Sequence, residues 1–149
     1  MSYDIEICSD DGYTAHADFQ HVYAFIASLP DIIENGPIGF TYEAGDHYYM
    51  EIDLELVDAD GNWTDNESPD SINCIRMHIP YRHMQRAYVD PARYFEICTA
   101  IAHYLHWRAI DLQTGRDLLE GQNPASTDQI VSTVLTTMQR FLFGEEEDK

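Results

Sequence analysis

The sequence has 149 residues, of which 44% are apolar and 12% are aromatic, and its formal net charge is −19. A chain of this length and composition forms about one globular domain, which excludes an intrinsically disordered protein. The negative charge argues against binding to nucleic acids or to anionic membranes and favours a cationic partner.

Residues 1–43 predict a strand, a helix and a second strand. Apolar and acidic side chains alternate over residues 3–8, as in a strand with one buried face. Asp18 can cap a helix whose apolar residues repeat every three or four positions until Pro30 ends it. The stretch GFTYE at 39–43 predicts a short second strand.

The middle of the chain predicts two half-buried strands joined by a long loop. Apolar and polar side chains alternate over residues 48–57 and again over residues 73–79. The polar stretch between them, with Gly and Pro at 58–70, predicts the loop. The outward face of the first of these strands carries Glu51, Asp53 and Glu55.

The last third predicts two helices and one strand. Asp90 and Pro91 stand in the order expected for the cap and first residue of a helix. A strand follows over 108–112, and the QTG stretch at 113–115 predicts a turn. A capping box and an amphipathic repeat predict a third helix over 126–144.

This order of elements predicts an α+β two-layer sandwich. It would consist of a mainly antiparallel sheet of about five strands with helices packed on one face. Residues 1–144 would form a single domain, and 145–149 an acidic disordered tail. The other face of the sheet would be solvated and would carry Asp4, Glu6, Glu51, Asp53 and Glu55, with Arg76 and His78 as cross-strand partners.

The loop after the 48–57 strand resembles part of a calcium-binding EF-hand. With Gly61 at the sixth position, Asp58, Asp60 and Glu67 fall at the third, fifth and twelfth positions, where oxygen ligands are required. Leu56 stands at the first position and supplies no ligand. The alternative is a hairpin-type connection in which Gly61 supplies the turn.

A second candidate metal site lies on the second predicted helix. His103 and His106 are one turn apart, with Glu96 on roughly the same side, and this spacing suits zinc or another transition metal. The alternative is that both histidines lie on an exposed helix face without binding a metal.

No nucleophilic or phosphate-binding signature is present in the sequence, so an enzymatic function is not indicated. Cys8, Cys74 and Cys98 are odd in number and far apart, which predicts buried free thiols rather than a disulfide framework. No apolar run is long enough to cross a bilayer, and no signal peptide is visible. We therefore expect a cytoplasmic protein.

Three stretches resemble segments of small uncharacterised bacterial α/β proteins, some of which are similar to immunity proteins of polymorphic toxin systems. They are EIDLE at 51–55, HIPY at 78–81 and IAHYLHWRAIDLQTG at 101–115. The resemblance implies a single-domain cytoplasmic binding protein without a cofactor, and it assigns no catalytic residue. His106 stands where the resembling segments have glycine before the tryptophan.

The distribution of charge provides the main functional hypothesis. Residues 1–75 contain no Lys or Arg, and all eight basic residues lie from Arg76 onward. This pattern favours an acidic protein-binding module, of immunity or inhibitor type, that docks a basic partner protein. The outward carboxylates would steer the partner, and Tyr49 and Trp63 would be buried as aromatic anchors.

Two alternatives stay open at this stage. One is a small metal-binding protein or metal-dependent enzyme that uses His103 and His106. The other is a structural domain whose acidity reflects its habitat. The sequence leaves the oligomeric state undetermined.

Overall fold

The computed structural model describes residues 2–85 and 87–119. The third helix and the acidic tail that the sequence predicts lie outside these residues. The described elements, in chain order, are β1 (Ser2–Cys8), β2 (Ala17–Asp18), α1 (Phe19–Ala27), β3 (Ile32–Glu34), β4 (Gly39–Tyr42), β5 (Met50–Glu55), β6 (Ser71–Ile72), β7 (Cys74–Pro80), a 3-10 helix (Tyr81–Met84), α2 (Ala92–Leu105), β8 (Arg108–Asp111) and β9 (Arg116–Asp117).

Seven of the strands form one open antiparallel sheet in the order β3-β4-β5-β7-β1-β8-β9. The predicted α+β class and antiparallel sheet are confirmed, but the expected count of about five strands is too low. The strands β3 and β9 have three and two residues, too few for an alternating pattern to be recognised. For the same reason the sequence does not predict the separate ladder of β2 and β6, which has two residues in each strand.

The hydrophobic core lies between one face of the sheet and the two helices. Alternation within β1, β5 and β7 directs one set of side chains to this inner face, where they are fully buried. The buried side chains of α1 and α2 belong to the same apolar cluster. Removing this surface from water is the main favourable contribution to folding. The sheet members of the cluster include Tyr3, Ile5, Ile7, Ile52, Leu54, Ile75, Met77 and Ile79.

The helix ends follow from local sequence. Asp18 caps α1 as predicted, because its carboxylate accepts a hydrogen bond of 3.0 Å from the backbone N–H of His21. The second helix begins at Ala92, whose N–H donates to the Asp90 carboxylate at 3.1 Å. At its other end His106 adopts a left-handed conformation with φ of 56°. Glycine is the usual residue in that conformation, so His106 is an uncommon residue at this turn.

No helix within the described part of the chain is both long enough and apolar enough to cross a membrane.

Candidate functional site

The outer face of the sheet carries the predicted set of acidic side chains, which we name the carboxylate face. It comprises Asp4 and Glu6 on β1 and Glu51, Asp53 and Glu55 on β5, on either side of β7. The register of the strands places these acids beside the two basic residues of β7 in the pairs Asp4↔His78, Glu6↔Arg76, Glu51↔His78 and Asp53↔Arg76. Each basic side chain therefore lies between carboxylates from two neighbouring strands, as the alternating pattern predicts.

One end of this face is closed over by an ion-paired cluster. Arg76 Nε lies 3.2 Å from Glu6 Oε2, and Arg76 Nη1 lies 3.0 Å from Glu55 Oε1. A third donor of the guanidinium, Nη2, donates to the carbonyl oxygen of Gly61. Tyr13 donates its hydroxyl to Glu6 Oε1 at 2.7 Å. We call this cluster of Glu6, Glu55 and Arg76, with Tyr13 and Gly61 above it, the covered end.

Two residues hold the covering segments in place. The Asn73 side chain accepts a hydrogen bond from Val57 N at 2.8 Å and donates to Val57 O at 2.9 Å and to Tyr13 O at 3.2 Å. Gly61 has φ of 85°, and a Cβ added there would lie 2.7 Å from the Tyr13 hydroxyl oxygen. A side chain at this position would therefore displace either Tyr13 or the loop.

The loop with the EF-hand resemblance is a hairpin-type connection. Val57 and Trp63 form an antiparallel bridge, and Gly61 has a positive φ inside the turn between them. The Asp58 carboxylate accepts hydrogen bonds of 2.9 Å from the N–H groups of Asp60 and Asn62. These bonds, the one from Asn62 most strongly, lower the pKa of Asp58. Asp58 therefore organises the turn.

The described residues include no group of three or more His, Cys, Asp or Glu side chains that could hold a metal ion. The calcium site at Asp58, Asp60 and Glu67 therefore remains a prediction, and this geometry does not support it.

The histidine pair differs from its predicted arrangement. Glu96, His103 and His106 are all exposed, but α2 ends at Leu105, so His106 no longer continues the helical spacing. Its left-handed backbone turns the chain toward β8 instead. The zinc site at these residues likewise stays a prediction.

The opposite end of the carboxylate face is more exposed and is not closed over by an arginine. His78 Nδ1 lies 2.6 Å from Asp4 Oδ1, and Tyr49 donates its hydroxyl to Glu51 Oε1 at 3.1 Å. We find no hydrogen bond or ion pair of the Asp53 carboxylate with another described residue. Burial raises the pKa of Asp53, an effect that His78 partly offsets. We call Asp4, Tyr49, Glu51, Asp53 and His78 the open end.

The two predicted aromatic anchors lie at different ends of the sheet. Tyr49 precedes β5 at the open end, whereas Trp63 pairs with Val57 beyond the last residue of the same strand. This separation amounts to about 25 Å along the strand. The buried indole N–H of Trp63 has no hydrogen-bond partner among the described residues. Of the two, Tyr49 is the one placed to act together with the half-buried carboxylates of the open end.

A separate groove of about 330 Å³ lies near the β4–β5 connection and the start of α2. The Arg93 guanidinium carbon lies 4.5 Å from the centre of the Tyr48 ring, and Arg93 Nη2 lies 3.9 Å from Asp31 Oδ2. Arg93, the cation of this groove, is thus already partnered within the protein, and we do not assign the groove a ligand. Its lining consists of Asp31, Ala44, Gly45, Asp46, His47, Tyr48 and Arg93.

The cover of Tyr13 and Gly61 over this cluster is a feature that the sequence does not predict. Tyr13 follows a turn and is 60 residues from Asn73, to which it is hydrogen-bonded. Periodicity identifies the face to which a side chain points, but not the loop that folds over it. The sequence gives one local signal of this cover, which is Gly61, because glycine after Asp60 is typical of a tight turn. In the structure Gly61 has a positive φ, as such a turn requires.

Comparisons of the chain with family models, with curated proteins and with solved structures find no match.

Proposed function

We propose that this protein is an acidic binding module that docks a basic protein partner through the open end of the carboxylate face. The observation that supports this proposal is the unequal pairing of charge along that face. Glu6 and Glu55 are bonded to Arg76 and are largely shielded from solvent. At the open end, Asp4 and Glu51 both lie opposite His78, and the Asp53 carboxylate, whose register partner is Arg76, has no hydrogen bond or ion pair with another described residue.

This difference decides which carboxylates can act on a partner. Charges that are paired and covered within the protein contribute little to the field outside it. At the open end Asp4 lies nearer to solvent than Glu6 and Glu55 do. Carboxylates near solvent attract cationic groups over roughly one Debye length, about 10 Å at 0.1 M salt. Such a field raises the rate of encounter with a basic partner more than it raises the affinity.

Affinity then requires contacts that exclude water. Tyr49 supplies an aromatic ring beside Glu51, and its hydroxyl is held by that carboxylate. Aromatic side chains with one polar end are common at the centre of protein interfaces. An arginine of the partner could accordingly stack on the Tyr49 ring while it binds Glu51 or Asp53.

The resemblance to immunity proteins supplies the most specific form of this proposal. An inhibitor of that type binds and covers a basic surface of a toxic partner. The carboxylate face supports the binding step, and the identity of the partner rests on the resemblance alone.

The proposal is tested with a short fluorescent polyarginine peptide as a surrogate for the basic partner. The variant Glu51→Gln/Asp53→Asn removes two charges from the open end. Its matched control, Glu34→Gln/Glu96→Gln, removes two charges elsewhere. Glu34 Oε1 accepts a hydrogen bond from Tyr23 of α1, and Glu96 lies exposed on α2. Stopped-flow anisotropy at low and high salt measures the association rate for each protein.

We expect the open-end variant to slow association at low salt by about threefold or more, and the control to change it much less. High salt should slow the unmodified protein toward the rate of the open-end variant. Equal slowing in the two variants would mean that the net charge acts without a defined docking site, and the proposal would be rejected.

A further inference from the structure

Two of the three cysteines lie opposite each other on neighbouring strands. Cys8, Cys74 and Cys98 are free and buried, as the sequence predicts. Cys8 is the last residue of β1 and Cys74 the first of β7. The antiparallel register pairs Ile7 with Ile75, and continuing it by one residue places Cys8 opposite Cys74. Both side chains then point to the outer side of the sheet.

The backbone hydrogen bonds of β1 show whether Cys8 and Cys74 form a hydrogen-bonded or a non-hydrogen-bonded pair of the antiparallel ladder. The N–H of Asp4 donates to Gln113 Oε1 and its carbonyl accepts from Leu112 N, so both groups point toward β8. Backbone groups of alternate residues point the same way along a strand, and those of Cys8 therefore also point toward β8. Cys8 and Cys74 are thus a non-hydrogen-bonded pair, for which the Cα separation is about 4.5 Å.

This separation falls within the range of about 4.4–6.8 Å that a disulfide requires. The surroundings of the two thiols agree with their adjacency, because both lie beside Glu6. The Cys8 sulfur is 3.9 Å from Glu6 Oε1 and 3.9 Å from Arg108 Nη2. Burial and then the Glu6 carboxylate raise the pKa of both thiols. The reduced pair is therefore protonated and slow to react while it stays covered.

We propose that Cys8 and Cys74 are a site of oxidative modification at which a low-molecular-weight disulfide, such as oxidised glutathione, forms a cross-strand disulfide. This proposal is independent of the proposed binding function.

The chemistry requires two exchange steps. The Cys8 thiolate attacks one sulfur of glutathione disulfide, forms a mixed disulfide and releases one glutathione. The Cys74 thiolate then attacks the Cys8 sulfur, forms the protein disulfide and releases the second glutathione. The two thiol protons are taken up by the two departing glutathione thiolates. Two cysteines are oxidised by two electrons, and one glutathione disulfide is reduced.

Cys98 cannot take part in the folded protein. It lies on α2 in the core, where its sulfur is 3.1 Å from the Met77 sulfur on the inner face of the sheet. The sheet thus separates Cys98 from the outer-face pair. In the unfolded chain the preference is different, because Cys74 and Cys98 close a much shorter loop than Cys8 and Cys74. A bridge between Cys8 and Cys74 is therefore a signature of the folded strand pairing.

The test is to refold the full reduced chain from denaturant in buffers of increasing oxidised glutathione, so that burial of the thiols cannot prevent reaction. Free thiols are then counted under denaturing conditions, and the linked peptides are identified by mass spectrometry. We expect the count to fall from three to one, with Cys8 linked to Cys74. The oxidised protein should unfold at a higher denaturant concentration than the reduced protein.

Three single variants identify which two cysteines form the disulfide, so that the result does not depend on one substitution alone. Cys98→Ser should still lose two thiols on oxidation, whereas Cys8→Ser and Cys74→Ser should lose none to an internal bridge. The peptide map of the unmodified protein gives the same answer if a variant does not fold. Three free thiols, a stable glutathione adduct, or a Cys74–Cys98 link in the refolded protein would each overturn the proposal.

Discussion

The two ends of the carboxylate face contain the same kinds of residue in different surroundings. At the covered end the side chains of Glu6, Glu55 and Arg76 are 9%, 13% and 24% exposed. At the open end those of Asp4 and His78 are 28% and 40% exposed. Loops that carry Tyr13 and Gly61 fold over the first end, and no described loop hydrogen-bonds to Asp53 at the second.

This difference places acidic side chains of one sheet face in two kinds of surroundings, and under the proposed function it gives them two uses. Where a loop excludes water, each carboxylate needs a donor, and removing the donor leaves a buried charge. Where the face stays open, as at Asp4, the same residue type lies nearer to solvent. Net charge by itself therefore does not distinguish a structural carboxylate from one that can bind.

The largest effect should follow from removing the cation of the covered end. Arg76→Met keeps an unbranched apolar stem but removes the guanidinium, so it leaves Glu6 and Glu55 without their common donor. We expect the free energy of unfolding to fall by about 3 kcal/mol or more, because breaking a buried ion pair leaves uncompensated charge. Guanidinium denaturation followed by circular dichroism measures the loss.

A triple variant serves as the control for this prediction. Glu6→Gln/Glu55→Gln/Arg76→Met removes the three charges together, so no buried carboxylate is left unpaired. Its stability should recover much of the loss seen in Arg76→Met, since neutral replacement of a whole buried pair is often tolerated. If the single variant were as stable as the unmodified protein, the contrast between the two ends would be wrong.

A smaller effect should follow from changing the cover itself. Gly61→Ala places a methyl group against the Tyr13 hydroxyl and adopts a positive φ. Gly36→Ala also has a positive φ, 78°, but a Cβ there meets nothing within 4 Å. We expect a loss of about 1 kcal/mol for Gly36→Ala and of about 2–3 kcal/mol for Gly61→Ala, since the clash adds to the backbone cost.

Thermal unfolding measures the loss of stability in both glycine variants. The amount by which the loss in Gly61→Ala exceeds that in Gly36→Ala is the contribution of the contact with Tyr13. Introducing Tyr13→Phe into the Gly61→Ala protein removes the hydroxyl that clashes and should narrow that difference. Equal losses of stability in the two glycine variants would show that a side chain at position 61 makes no costly steric contact with Tyr13.

Much of the carboxylate face can be predicted from the sequence, because it depends on local alternation. Side chains two residues apart in a strand point to the same face, so alternation alone predicts that Glu51, Asp53 and Glu55 lie together. The pairing of Glu55 with Arg76 follows from opposite charges on two strands of similar pattern.

The loop cover over the covered end could not be predicted, because it depends on contacts between distant segments. Tyr13, Gly61 and Asn73 meet only after the strands have paired, and nothing in their local sequence encodes that meeting. The apposition of Cys8 and Cys74 has the same origin, since it depends on the register of β1 against β7. Periodicity predicts strands and faces, whereas register and loop cover require the complete fold.

The smallest effect, and the one that best separates the two ends, concerns Asp53→Asn. At the covered end, loss of a charge should destabilise the protein, whereas here it should stabilise it. Burial raises the pKa of Asp53 in the folded protein above its ordinary value of 3.8. Ionised Asp53 therefore opposes folding at neutral pH, and replacing it by a neutral isostere should raise the free energy of unfolding by up to about 0.5 kcal/mol.

The sign of this effect fixes its dependence on pH. Asp53 is ionised in both states above its folded-state pKa, so the gain from Asp53→Asn is complete there. As the pH falls through the folded-state pKa toward 3.8, the carboxyl becomes protonated in the folded protein and the gain disappears. Urea denaturation of both proteins between pH 3 and pH 7 measures this trend, with association to the polyarginine peptide as a second readout. A variant that is more stable at pH 7 but binds the peptide more slowly shows a carboxylate retained for binding at a cost in stability, whereas a less stable variant would place Asp53 with the structural carboxylates of the covered end.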